Sequence, residues 1–220
     1  MIERLDRLHA QARANPLLYR VTLATRCLFA MAFLPTGMVK LLGERFTQIS
    51  PDSPIGAFFE AMYQTGGYWR FLGATQMLAG LLMLIPRAAT LAAVIFFPLL
   101  LNIFVITVAL GFHGTPYLTG AMLVGATSLL AWDWDRLRGI LTARPRTPQE
   151  ADGRRLTGLG PRWERTAYAV GTAAGLALFG FTRDFVPRSA VPLLLAVGAI
   201  AALVALAGAV RAWRVSRRPG

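Results

Sequence analysis

The stretch from Arg87 to Phe112 decides the fold; it reads R-A-A-T-L-A-A-V-I-F-F-P-L-L-L-N-I-F-V-I-T-V-A-L-G-F. No charged side chain stands between Ala88 and Phe112. As a helix rising about 1.5 Å per residue, the run is long enough to cross a hydrocarbon layer roughly 30 Å thick. Pro98 removes one helical hydrogen bond and crowds the carbonyl of Val94, so a kink is expected there. Asn102 follows four residues later, on the same face. An amide in lipid must find a partner, so this face is expected to point at other helices.

The rest of the chain is read as walls around this helix. Of 220 residues, 55% are hydrophobic and 15% charged, and mean hydropathy is +0.50. Soluble domains carry about 25% charge, so the composition belongs to the membrane class. The net charge of +12 comes from arginines in loops and tails between apolar runs. That placement indicates membrane topology and argues against a nucleic-acid partner. Cys27 is the lone cysteine, so neither an intramolecular disulfide nor a CxxC motif exists.

Residues 1–15 mix acidic and basic side chains and are not read as a signal peptide. Ile2, Leu5, Leu8 and Ala12 fall near one helical face, so an interfacial amphipathic helix or a solvated tail is expected, ending at Asn15-Pro16. The first span is expected over Val21–Leu42, with Arg20 and Arg26 snorkelling to the headgroups and Pro35 as a second kink. Lys40 sits a turn from its far end, either snorkelling to that interface or lining a cavity. In the loop that follows, Ser53-Pro54 has the form of an N-cap with proline at the first helical position. An amphipathic helix over 54–65 is expected, packing on the bundle or covering a cavity.

Tyr68–Ile85 is the second expected span, with Tyr68 and Trp69 as interface anchors and Gly73, Gln76 and Gly80 on one face. Tyr117–Trp132 is the fourth, followed by Asp133 and Asp135, read as solvated acids beside interfacial tryptophans. Residues 142–163 are a basic, proline-containing linker. Residues 164–214 form an expected hairpin of two spans with small-residue stripes at Ala167, Gly171, Gly175 and at Ala201, Ala205, Ala209. Seventeen lysines and arginines fall on the side of the N-terminus and four on the other. This predicts a multi-pass protein of a bacterial inner membrane with both termini cytoplasmic.

The fold class expected is therefore all-α: a polytopic membrane protein with a four-helix core, residues 16–141, plus a C-terminal two-helix hairpin. Helical rise places Lys40, Gln76, Asn102 and Thr127 in the outer half of the core. His113, Glu60 and Arg70 fall near its mouth. Together these seven are the candidate ligand-binding residues. No catalytic residue is assigned. His9 and His113 fall on opposite sides, which disfavours paired haem ligation, and no metal-ligand cluster or phosphate-binding loop stands out.

From about residue 20 to 141 the chain resembles the DoxX-like membrane proteins. The matching residues are L-P-T-G-M-V-K-L-L-G at Leu34–Gly43, G-A-T-Q-M-L-A-G-L-L-M-L at Gly73–Leu84, and the P-R-A-A-T-L-A-A turn after it. The resemblance implies a four-helix membrane core and an accessory role, non-catalytic alone, beside a quinone-linked redox subunit. Lys40 matches the family's lysine. Many members carry glutamate at the position of Gln76, which puts a proton-handling role there in doubt. A quinone headgroup is the implied ligand, with the lipid bilayer and a redox protein as partners. The alternatives are a small-solute carrier, with the prolines as moving parts, and a scaffold without ligand.

Overall fold

The computed structural model describes residues 2–142, 162–181 and 188–216, and among these there is no strand. Nine α-helices are described: α1 Ile2–Ala14, α2 Pro16–Leu41, α3 Pro54–Gln64, α4 Gly67–Leu84, α5 Ala89–Ala109, α6 Thr115–Trp132, α7 Trp134–Thr142, α8 Arg162–Phe181 and α9 Val191–Ser216. A 3-10 turn, Arg188–Ala190, precedes the last. Among the described residues three segments are long and apolar enough to cross a membrane: Pro16–Leu41, Ala89–Ala109 and Val191–Arg214. The other three expected spans are helices too, of 18, 18 and 20 residues, but shorter or richer in charge and hydroxyl groups. Most of the expected basic linker, residues 143–161, lies outside the described residues, as do Arg183, Arg217 and Arg218 of the charge count.

The chain divides into two units, residues 28–128 and the two flanking stretches 1–27 and 129–220. In the 28–128 unit the buried face of α5 carries Ala89, Ala92, Ala93, Phe96, Leu100 and Thr107. Phe96 stacks on Phe29 at 5.3 Å between ring centres and meets Phe33 edge-on at 4.6 Å, which joins α5 to α2. The helices α2 and α4 meet backbone to backbone: a β-carbon on Gly37 would stand 2.9 Å from the carbonyl oxygen of Gly73. Small residues allow that approach. The Thr107 and Thr119 hydroxyls, 2.9 Å apart, join α5 to α6. Both prolines expected to kink their spans lie inside helices that run on through them.

Helix α2 ends on Gly43 at φ +77°, with the Gly43 amide bonded to the Lys40 carbonyl and the Glu44 amide to the Val39 carbonyl. That pair of bonds needs a left-handed residue, which glycine adopts without steric cost. Helix α3 begins as its sequence predicts, with the Gly56 amide donating to Ser53 Oγ and proline in the first turn.

In the flanking unit, Asn15 Oδ1 accepts the amide of Leu17 at the start of α2. Asp6 of α1 accepts the Trp134 indole N–H and the Arg138 guanidinium of α7. Helix α7 closes the expected core segment and reaches Thr142, the first residue of the expected linker. Trp134, Leu137 and Leu141 recur at helical spacing there, and Asp6 anchors the turn. Arg20 and Arg26, expected to reach the headgroups, are paired with carboxylates. Arg20 grips Glu164 with two guanidinium nitrogens, and Arg26 reaches Asp133 at 3.4 Å. Asp133 is 3% exposed and thus not the solvated acid expected, because an arginine partner offsets its desolvation. Helices α8 and α9 run antiparallel side by side, since Gly171 faces Ala201 while Glu164 faces Gly208. Ala201 of the expected α9 stripe lies in the seam, and Gly208 joins it there.

Candidate functional site

The 28–128 unit carries a half-open cavity of about 650 Å³. Its walls come from five helices of that unit, and aromatic and branched side chains make up most of them. One end is polar. Lys40 stands there on α2, 5% exposed, and Gln76 on α4, 3% exposed. The two lie one turn beyond Gly37 and Gly73, so the close approach of α2 and α4 fixes both backbone positions.

Lys40 is the only lysine in the chain. Its ammonium donates to the Thr36 carbonyl at 3.1 Å. The same nitrogen lies 4.1 Å from the centre of the Phe46 ring and 5.4 Å from that of Trp69. Ring faces attract a cation through their quadrupole, yet replace only part of its hydration. Among the described residues no carboxylate pairs with it. Gln76 Oε1 has no hydrogen-bond partner among the described residues. Asn102 lines the same cavity from α5, on the face it shares with Pro98. That face is exposed, while Phe96 and Leu100 carry the helix contacts; the amide looks into the cavity and not into a helix seam.

The other four candidates fall outside the lining. Thr127 gives its hydroxyl to the Leu123 carbonyl of its own helix. Glu60 makes a two-pronged pair with Arg45, with both bonds at 2.9 Å, on an exposed face of α3. Arg45, then Gln64, holds the Glu60 carboxyl below the usual carboxylate range through these hydrogen bonds. His113 is exposed, although its neighbour Phe112 lines the cavity. Arg70 is exposed, its guanidinium against Gly43.

Aromatic wall residues escaped the sequence reading. Trp69 is 1% exposed, with its indole N–H on the Glu44 carbonyl, so it is a buried wall residue and not an interface anchor. Phe58, Phe59 and Met62 of α3 complete the wall. The amphipathic spacing of 54–65 was the available signal for them. Among the described residues no group of three or more His, Cys, Asp or Glu side chains is placed to hold a metal. A cation and two amides, set among apolar and aromatic walls, form a site able to orient a small polar head on an apolar body.

No family model matches the chain, and no solved structure matches it. Among curated proteins, the uncharacterized protein YwoB of Bacillus subtilis (strain 168) is 31% identical over 126 residues. The match takes in 54% of this chain and 81% of that protein. At that identity, over most of the relative's length, this chain belongs to the family of the uncharacterized protein YwoB.

Proposed function

We propose that this chain is a multi-pass protein of a bacterial inner membrane, with α2, α4, α5 and α6 as a four-helix core, α8 and α9 as a C-terminal hairpin, and both termini cytoplasmic. The three long apolar helices and the asymmetry of arginine placement support this reading. Its function is to hold a small ligand, a quinone headgroup, in service of a membrane redox partner, without catalysing a reaction alone. The observation that carries the proposal is the cavity with Lys40, Gln76 and Asn102 on its lining among apolar and aromatic walls. Ring-lined walls suit a planar head, and the Lys40 ammonium suits a carbonyl or hydroxyl oxygen. The resemblance to DoxX-like proteins supports the redox association.

Purification in mild detergent, followed by mass spectrometry of everything bound, tests it. A co-purifying quinone or redox subunit is expected, and is lost in Lys40→Ala. Solute flux in proteoliposomes that disappears in Lys40→Ala, with no bound quinone, would replace this reading by that of a carrier.

A further inference from the structure

The cavity is roofed at one end and open along a side. The roof, where α2 and α5 finish, is made of rings from three segments. Phe59 of α3 meets Phe46 of the α2–α3 loop at 5.9 Å between ring centres, its neighbour Phe58 at 5.7 Å, and Phe112 of the α5–α6 loop at 6.2 Å. All four rings line the cavity, and Met62 joins them from the next turn of α3. The Arg45–Glu60 pair ties α3 to the loop before it, with the Arg45 guanidinium 4.3 Å from the centre of the Tyr63 ring.

Other lining residues stay exposed although they belong to helices of the unit. Phe71 on α4 is 64% exposed and Leu118 on α6 63%, and Pro98 and Asn102 on α5 are exposed as well. Counting about 1.5 Å per residue from Ala89, Pro98 and Asn102 stand roughly 14 and 20 Å along a helix about 30 Å long. The open side therefore reaches the middle of a helix apolar enough to cross a membrane, at a depth where the surrounding medium is hydrocarbon. Asn102 is out of place there. Its amide makes no hydrogen bond among the described residues, and an amide left facing lipid chains is costly. A polar head passing that way offers it a partner.

We infer that the cavity takes its ligand sideways from the bilayer: a lipid-dissolved molecule enters head first past Phe71, Asn102 and Leu118 and leaves a long hydrocarbon tail among the lipid chains, while the ring roof stays shut. The inference rests on the reading of this chain as a membrane protein with a ligand in that cavity, and adds the ligand's class and its route. A tail that remains in hydrocarbon never crosses water, so the size of the cavity limits the head and not the tail. Asn102 gives the head both donors and an acceptor on its way in.

The full chain, stripped of bound lipid and quinone and reconstituted in phosphatidylcholine vesicles, tests this by photolabelling and peptide mass spectrometry. One probe is a phosphatidylcholine with a diazirine in its acyl chain; the other is a charged, water-soluble diazirine present on both sides. The lipid probe should label Phe33 and Ile103, which line the cavity, besides Val94, Leu101 and Val105 on the outward face of α5. The water-soluble probe should miss Phe33 and Ile103. Asn102→Trp, which fills the open side, should lose those two labels and keep the outward ones; the wild-type pattern decides the matter even where that variant does not fold. Interior labels from the water-soluble probe, none from either probe, or labels that survive in folded Asn102→Trp would overturn the inference. A quinone with a decyl tail, added before illumination, should displace the lipid probe from Phe33 and Ile103. If it does not, sideways access stands and the quinone reading ends. If quinone binds while the lipid probe never reaches the interior pair, the quinone reading stands and sideways access falls.

Discussion

A β-carbon on Gly73 would stand 2.4 Å from the amide nitrogen of Leu41 and 2.6 Å from the carbonyl oxygen of Gly37. Backbone cannot yield there as a flexible side chain would, so the helices must part. Gly73→Ala should therefore destabilise the chain by about 1–3 kcal/mol, read as a lower Tm in detergent. Gly198→Ala is the control, since nothing lies within 4 Å of its β-carbon. It should cost nothing and add a little helix propensity. Gly73, Gln76 and Gly80 are legible as one face from spacing alone. Which residues they meet is not, because Gly37 lies on another helix. The same limit explains the split among the seven candidates. Helical rise gives a residue's height but not its rotation about the axis. Thr127 stands at a suitable level, yet the lining face of α6, Thr119 and Met122, continues at Ala126.

At the scale of elements, the starts and stops were legible because they are local. Ser53-Pro54 opens α3, the Gly66–Gly67 pair leads into α4, and each signal needs only a turn of chain. The ion pairs were not, because Arg20 and Glu164 are separated by 144 positions and Arg26 and Asp133 by 107. A helix such as α3, small and half-exposed, depends on few ties. Arg45–Glu60 is one of them. Because the folded state lowers the Glu60 carboxyl, its contribution is present above the ordinary carboxylate value and is lost as pH falls through the lowered one. Protection factors of the Phe58–Met62 amides should be flat from pH 7 to about 5 and fall below that, across the carboxylate range. In Glu60→Gln that acid-side fall should be absent. A fall of equal size in the variant would assign it to another group.

For the whole molecule, composition and the uncharged run through α5 made the membrane class legible before any coordinate. Among the described residues, length and hydropathy by themselves single out three spans, because α4, α6 and α8 carry hydroxyls, glycines or charges that dilute the apolar signal. The proposed orientation is tested at residue 150, outside the described residues. In a Cys27→Ser background, Glu150→Cys should react with a membrane-impermeant maleimide only after cells are opened. Labelling of intact cells would reverse the topology and place the Lys40 end of the cavity at the cytoplasmic face.

Five tryptophans occur in the chain, and Trp69 alone falls within residues 28–128. Its indole is shielded from solvent, tied at the nitrogen, and looks across at the Lys40 ammonium. Change the other four, Trp132, Trp134, Trp163 and Trp213, to phenylalanine, and the chain keeps a single lamp set into the chamber wall. Its colour and brightness would then register any light-absorbing guest without a dye attached.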